Sequence, residues 1–226
     1  MDAWFVCGPL EGRIGESRVL FRNTVVELAE ASLTVLEGPS GAGKTTLLRA
    51  IAGLDPAPGA RRHLAGRTWA PSGALAEWRS QVTWLAQDAP LLGGTVRDNL
   101  AFPFRLRAGR SRRFDPQRAG EMMDAVGLGG LDFERGVARL SGGERHRLAL
   151  VRGLLWDPPV LLADEPLSGI DPERSAACWE LIAQWARRPG HAALVVMHDE
   201  GFGTDADGRL RLDGGALRAL HGGSGA

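Results

Sequence analysis

The chain has 226 residues, carries 27 Lys+Arg against 27 Asp+Glu, and has a net charge of zero. That length holds one domain, or one domain with an inserted lobe, and not two. The balanced charge gives no reason to expect a nucleic-acid partner. The longest apolar run, Ala192 to Met197, is far short of the roughly 18 residues that span a bilayer, and no basic-then-apolar leader opens the chain, so a cytoplasmic protein is expected. Cys7 and Cys178 are too few for a disulfide framework and lack metal-ligand spacing, and both read as small buried apolar residues.

In chain order, Ser32 to Glu37 sets Leu33 and Val35 against polar neighbours, which predicts a half-buried strand running into Gly38. Leu47, Leu48 and Ile51 are spaced for a helix from Lys44 to Ala52, with Gly53 as its stop. From Asp88 to Trp156 the texture changes: Pro103, an arginine-rich stretch from Arg105 to Arg113, and helical spacing around Glu121 to Val126 and Gly142 to Trp156 predict a mostly helical lobe. Val160 to Ala163 and Ala192 to Met197 are continuous apolar runs of the kind a parallel sheet covered on both faces requires, which predicts an α/β core. The end, Gly222 to Ala226, is Gly/Ser-rich and is expected to be mobile, and there are no internal repeats.

Gly38-Pro39-Ser40-Gly41-Ala42-Gly43-Lys44-Thr45 fits G-x-x-x-x-G-K-[ST] in full, between a predicted strand and a predicted helix. Its glycines let backbone N–H groups curl around a polyphosphate, the helix start turns its positive end toward it, Lys44 reaches the outer phosphates and Thr45 ligates Mg²⁺. Lys44 is also the only lysine among the 27 basic residues, in a chain that uses arginine everywhere else. A compact ammonium kept at this one place is not interchangeable with a guanidinium. Asp164 and Glu165 end an apolar strand, where the first can hold Mg²⁺ through water and the second can polarise an attacking water.

Ser141 and Glu144 form an S-x-x-E capping box at the head of a helix that continues through Leu148, Val151 and Leu155. The box leaves Gly142 and Gly143 unexplained, because glycines in a first turn weaken a helix unless a backbone must approach something closely. A bare helix start with a serine hydroxyl is a second anion site.

The order Gly38 to Thr45, Gln87, Leu140 to Glu144, Asp164-Glu165, Ser168-Gly169-Ile170-Asp171 and His198 resembles the ATPase subunit of ABC transporters over nearly the whole chain. The resemblance implies a P-loop NTPase (RecA-like) core over residues 1–87 and 157–226, an N-terminal antiparallel β region within it, and an inserted helical subdomain over 88–156. It implies ATP and Mg²⁺ as cofactors, Thr45, Gln87 and Asp164 around the metal, and Glu165, His198, Gln87 and Lys44 as catalytic residues. Thr46 would join the phosphate loop. Ser141, Gly142, Gly143 and Glu144 would close on ATP held by a second copy in a head-to-tail homodimer, with Asp171 crossing the interface. The residues from Gln87 to Phe104 and from Leu140 to Arg147 are most similar to the FetA group of iron or metal exporters, which work with a separately encoded permease at the inner face of the membrane.

Two departures stand out. His146 occupies a position that is glutamine in many members, and is expected to be neutral on an exposed helix face. The family stacks an aromatic ring on adenine, yet this chain has no tyrosine. Arg13 aligns there, with Trp4 or Phe5 as alternatives, and a guanidinium plane can stack on a base. An importer ATPase with another cargo, a non-transport ABC ATPase of DNA repair or translation, a small-molecule kinase and a non-hydrolysing binder are the rival functions. The roughly hundred residues between Lys44 and Ser141 leave no room for the coiled coil of a repair protein, a kinase has no use for Ser141-Gly142-Gly143, and Glu165 and His198 argue against a passive binder.

Overall fold

The computed structural model describes residues 3–15, 17–70, 74–88, 90–106, 112–197 and 202–220. Strands β1 (Phe5–Ile14) and β2 (Arg18–Leu28) form a long antiparallel hairpin; β1 also pairs with β4 (Arg61–Leu64), and β4 with β5 (Arg67–Trp69). This four-stranded sheet is the antiparallel region expected near the N-terminus.

The second sheet is built from β3 (Ser32–Glu37), β6 (Val82–Leu85), β7 (Val160–Asp164), β8 (Ala192–Val196), β9 (Gly208–Asp213) and β10 (Ala216–Ala219), in the order β10-β9-β3-β8-β7-β6. From β9 across to β6 every neighbouring pair is parallel, and β10 alone is antiparallel. The loops after β3, β6, β7 and β8 therefore all leave the same edge. In an open parallel sheet that edge is where a ligand crevice forms.

Burial along β3, β7 and β8 is nearly unbroken because each face of the sheet has its own apolar layer. Leu33, Val35, Leu161, Ala163, Ala193 and Val195 face one layer, while Leu36, Leu162, Leu194 and Val196 face the other. Strand β3 corrects the half-buried expectation: Ser32 and Thr34 are buried as well, at 7% exposure each. Their polarity marks no solvent face, and Ser32 satisfies its hydroxyl locally by donating to the Ala29 carbonyl at 2.6 Å.

One layer is filled by α1 (Lys44–Ile51) and the antiparallel sheet. The other is filled by α3 (Val96–Arg105), α4 (Pro116–Ala125), α5 (Gly142–Leu155) and α6 (Pro172–Ala186). Helix α1 stops as expected, with Gly53 in the left-handed conformation that ends helices (φ +71). Just beyond it, α2 (Leu75–Gln81) carries the fully buried Trp78, which donates its indole N–H to the Ile51 carbonyl at 2.7 Å and stacks on Phe5 at 5.7 Å. Between β6 and β7 the named elements are α3, α4, a 3-10 turn at Val137–Arg139 and α5. Cys7 and Cys178 are both buried, and burial pushes their thiols up to about 12 and about 11, out of the reactive range. The Gly/Ser-rich end from Gly222, residues 107–111 of the arginine-rich stretch and His198 lie outside the described residues.

Candidate functional site

Strand β3 delivers the chain into the glycine loop, and two glycines there answer to geometry. Gly38 sits at φ +149 with its α-carbon so close to the backbone of β9 that a Cβ would lie 2.2 Å from the Leu212 carbonyl oxygen. Gly43, the N-cap of α1, sits at φ +100 against Leu20. No side chain caps α1 and no acidic residue occupies its first turn. The positive end of the helix is thus left without a capping side chain or a first-turn acid.

Lys44 folds back over this loop, donating from Nζ to the carbonyls of Gly38 at 2.7 Å and Pro39 at 3.1 Å, and is only 6% exposed. Burial holds its ammonium below the ordinary lysine value, and the charges of Glu165 and Asp164 oppose that shift. The two carboxylates at the end of β7 are therefore electrostatic neighbours of the loop lysine.

Asp164 ends β7 almost fully buried, and Glu165 follows with a left-handed backbone (φ +49). A non-glycine residue held there costs on the order of 1 kcal/mol, and such strain collects at functional sites. Both of its peptide groups are secured, with the N–H donating to Val196 at 3.2 Å and the carbonyl accepting from Ser168 at 3.0 Å. Gln87, two residues beyond β6, donates from Nε2 to Glu165 Oε2 at 3.0 Å. The ends of β3, β6 and β7 thus gather Lys44, Gln87, Asp164 and Glu165, far apart in sequence, at one edge.

The head of α5 is finished differently. Ser141 accepts from the Glu144 backbone N–H at 3.2 Å, and Glu144 Oε2 accepts from the Ser141 N–H at 2.7 Å, completing the capping box. That backbone hydrogen bond is the main reason the Glu144 carboxyl lies below the usual range. A Cβ on Gly142 would meet open space, and one on Gly143 would stand 3.5 Å from the Gly169 carbonyl, an ordinary contact. Nothing among the described residues demands glycine at either place.

Asp171 caps α6, accepting from the Arg174 N–H at 3.2 Å, the first cause of its lowered carboxyl pKa. His146 does not lie on a fully exposed helix face as expected. It is half-buried, and its Nδ1 lies 2.6 Å from the Ser168 carbonyl.

Arg13 lies on the exposed side of β1, paired with Glu11. It lines a cleft of about 800 Å³ together with Glu11, Thr46, Arg49 and Asp55, and none of the residues lining it is aromatic. Phe5 is excluded from that cleft by its burial against Trp78, and Trp4 shares its end of β1. At about 3.4 Å per residue that end is roughly 27 Å from Arg13. Of the three alternatives, Arg13 alone lines the cleft.

Two residues of the site's frame escaped the sequence reading. Arg152 of α5 donates to the Pro90 carbonyl at 2.7 Å, and the fully buried Asn99 of α3 brackets Leu92, accepting from its N–H at 2.8 Å and donating to its carbonyl at 2.9 Å. Together they fix the loop that follows Gln87. Arg152 did leave a signal, since it stands one turn after Leu148 on the apolar stripe of its helix, where a charge needs a reason.

A family model described as "ABC transporter" matches residues 21–168. The "Probable iron export ATP-binding protein FetA" of Escherichia coli is 33% identical over 88% of this chain and 86% of its own length. The "Fe(3+) ions import ATP-binding protein FbpC" of Streptomyces coelicolor is 39% identical over 81% of this chain, and the "Aliphatic sulfonates import ATP-binding protein SsuB 2" of Xanthomonas axonopodis is 40% identical over 83%. The chain spans about half the length of the first of these importers, 52%, and 60% of the second. Among solved structures, a bacterial Atm1-family ABC exporter with ATP bound covers 96% of the chain at a TM-score of 0.82 and 21% identity, with 38% of its own length matched, which shows a shared fold.

Proposed function

Because the chain belongs to the ABC transporter family, as one of its ATP-binding proteins, we propose that it hydrolyses ATP in an ATP-dependent homodimer and so drives a separately encoded permease. The observation that carries this reading is the convergence of Lys44, Gln87, Asp164 and Glu165 at one edge of the parallel sheet, with Gln87 hydrogen-bonded to Glu165.

The residues on this edge fit MgATP. Residues 38 to 46 wrap the phosphates, with Lys44 moving its ammonium from the loop carbonyls to the outer phosphates. Thr45, Gln87 and Asp164 supply hydroxyl, amide and carboxylate oxygens, the donor type Mg²⁺ takes when phosphates and water complete its shell. When bound, the ion neutralises charge on the transferred phosphoryl group. Glu165 orients the attacking water and accepts its proton, held in place by its secured peptide groups and by Gln87. His198 is assigned to the γ-phosphate and Arg13 to the base.

The second copy accounts for the head of α5. With space around Gly142 and an uncrowded Gly143, the Ser141 turn can receive the γ-phosphate bound to the partner, with Asp171 beside it at the interface. Residues 88–156 then form the helical lobe that carries this turn, on a RecA-like core of 1–87 and 157–226.

No helix among the described residues is long and apolar enough to cross a membrane. The permease has a seat, however. A groove of about 670 Å³ is lined by Leu54, Leu92, Phe102 and Leu106, all exposed, and by Arg152, whose bond to Pro90 joins it to the loop after Gln87. We assign this groove to a segment of the permease, an assignment under which the chain would work at the inner face of the membrane.

For cargo we propose export of iron or another metal, supported by the likeness of residues 87–104 and 140–147 to the FetA group. Import is the second reading, favoured by the 39% and 40% identities to importer proteins. Deleting the gene raises cellular metal on the first reading, whereas on the second it lowers uptake of the imported cargo and raises no metal.

The mechanism is tested by Glu165→Gln, which keeps ATP binding and loses the proton acceptor. Size-exclusion chromatography with permease present and MgATP saturating is expected to show an ATP-held pair that does not turn over. A monomer under those conditions removes the composite site.

A further inference from the structure

Ser168 stands one hydrogen bond from Glu165, because its N–H donates to the Glu165 carbonyl at 3.0 Å. Its own carbonyl is held from the other side by His146 Nδ1 at 2.6 Å. The Ser168 residue is thus fastened at both peptide groups, once to the strained residue that follows β7 and once to α5. Helical spacing puts Gly143 and His146 on one face of α5. A Cβ on Gly143 would lie 3.5 Å from the Gly169 carbonyl, and Arg147 follows with Nη1 3.8 Å from Asp171 Oδ2. Gly169 itself turns the loop in the left-handed conformation (φ +71), so the segment is a tight bend pressed along one side of the helix. On its other side His146 lines a small cavity of about 120 Å³ with Gln87 and Pro166. The imidazole therefore sits between the loop after β6 and the loop after β7, on the helix whose first turn is Ser141 to Gly143.

We propose that His146 is a positioning residue that ties this helix to the Glu165 loop, so that the turn offered to the partner's nucleotide and the chain's own carboxylate move as one piece. The proposal rests on the roles assigned above to Glu165 and to the Ser141–Gly143 turn. An imidazole donates from Nδ1 in one neutral tautomer and when protonated, and a glutamine amide can donate to the same carbonyl. An alanine cannot, and it leaves the Ser168 carbonyl without this partner and the bend free to shift.

The test compares His146→Ala, His146→Gln and Lys44→Ala in the full chain with its permease. Losing one hydrogen bond that holds the carboxylate in register is expected to lower kcat about three- to tenfold in His146→Ala, with KM for ATP unchanged within about twofold. His146→Gln is expected to recover kcat. Amide exchange over residues 167–171, measured without nucleotide, is expected to quicken in His146→Ala and to return to the wild-type rate in His146→Gln. Wild-type kcat and exchange in His146→Ala overturn the proposal, and so does a raised KM with unchanged kcat, which would put His146 on the nucleotide instead. Lys44→Ala separates the two layers: if it is inactive while His146→Ala is normal, only this proposal falls, and if it retains turnover, the reading of the site falls with it.

Discussion

The helix that begins at Lys44 and the helix that begins at Gly142 look alike in sequence, each opening on glycine with the first turn's N–H groups in need of partners. The structure finishes them in opposite ways. Helix α1 has no side-chain cap and no acid in its first turn, and its preceding glycines are forced by left-handed backbone and by contact with β9 and Leu20. Helix α5 is capped by its own Ser141 and Glu144, and its two glycines have room for a methyl group. One end is held ready by its own chain, and the other satisfies itself while leaving its glycines open toward something outside. That contrast is what the proposed site shared between two copies would require, with a deep half and a covering half.

The sharpest way to break the comparison is Lys44→Ala. It removes the ammonium that the loop holds, and hydrolysis is expected to fall by at least about 10²-fold, with ATP binding weakened, as turnover assays and calorimetry would measure. No substitution at the head of α5 should weaken ATP binding by a single copy.

The glycines sharpen it next. Gly38→Ala sets a Cβ against the Leu212 carbonyl at 2.2 Å and is expected to destabilise the chain by about 2–4 kcal/mol, seen as a fall in Tm of roughly 5–15 °C. Gly142→Ala meets open space and is expected to leave Tm unchanged or raise it by a few degrees, since alanine gains up to about 1 kcal/mol over glycine in a helix. Its hydrolysis is nonetheless expected to drop. A Gly142→Ala chain that is both stable and fully active would leave the covering half without a role.

Arg13 tests the base end of the deep half. Arg13→Ala is expected to raise Kd for ATP about tenfold and to leave that for inorganic triphosphate unchanged, while Arg13→Tyr restores ATP binding, because a single stacking contact is worth about 1–3 kcal/mol. Equal ATP affinities for Arg13→Ala and wild type would return Arg13 to its ion pair with Glu11.

The smallest effects lie in the capping box. Ser141→Ala is expected to cost about 1 kcal/mol of stability. Glu144 has a folded-state pKa below its ordinary 4.5, so its contribution is present above the unfolded value and is lost as the pH falls through the folded one. Urea midpoints for wild type and Glu144→Gln are therefore expected to converge as the pH is lowered from about 6 to about 3. A gap that stays constant would show that the carboxylate's charge is not what holds the box closed.

The sequence alone determined the local grammar: where β3, β7 and β8 run, where α1 stops, that Ser141 and Glu144 cap a helix, and that a glycine-rich loop joins β3 to α1. These depend on neighbours a few residues apart, and the chemistry of capping, glycine backbone and apolar runs acts at that range. The tertiary structure decided what depends on separation. It buried both faces of β3 because helices cover one side and α1 with the antiparallel sheet the other, a fact the polar Ser32 and Thr34 concealed. It sent Phe5 into the core against Trp78 and left Arg13, of the three candidates for the base, on the cleft wall beside Thr46 and Arg49. It made His146 a tie to Ser168, across 22 positions of sequence, and joined Gln87 to Glu165 across 78. No pattern of spacing records such pairings, because the sheet order that brings strand ends together is set by packing the whole chain at once.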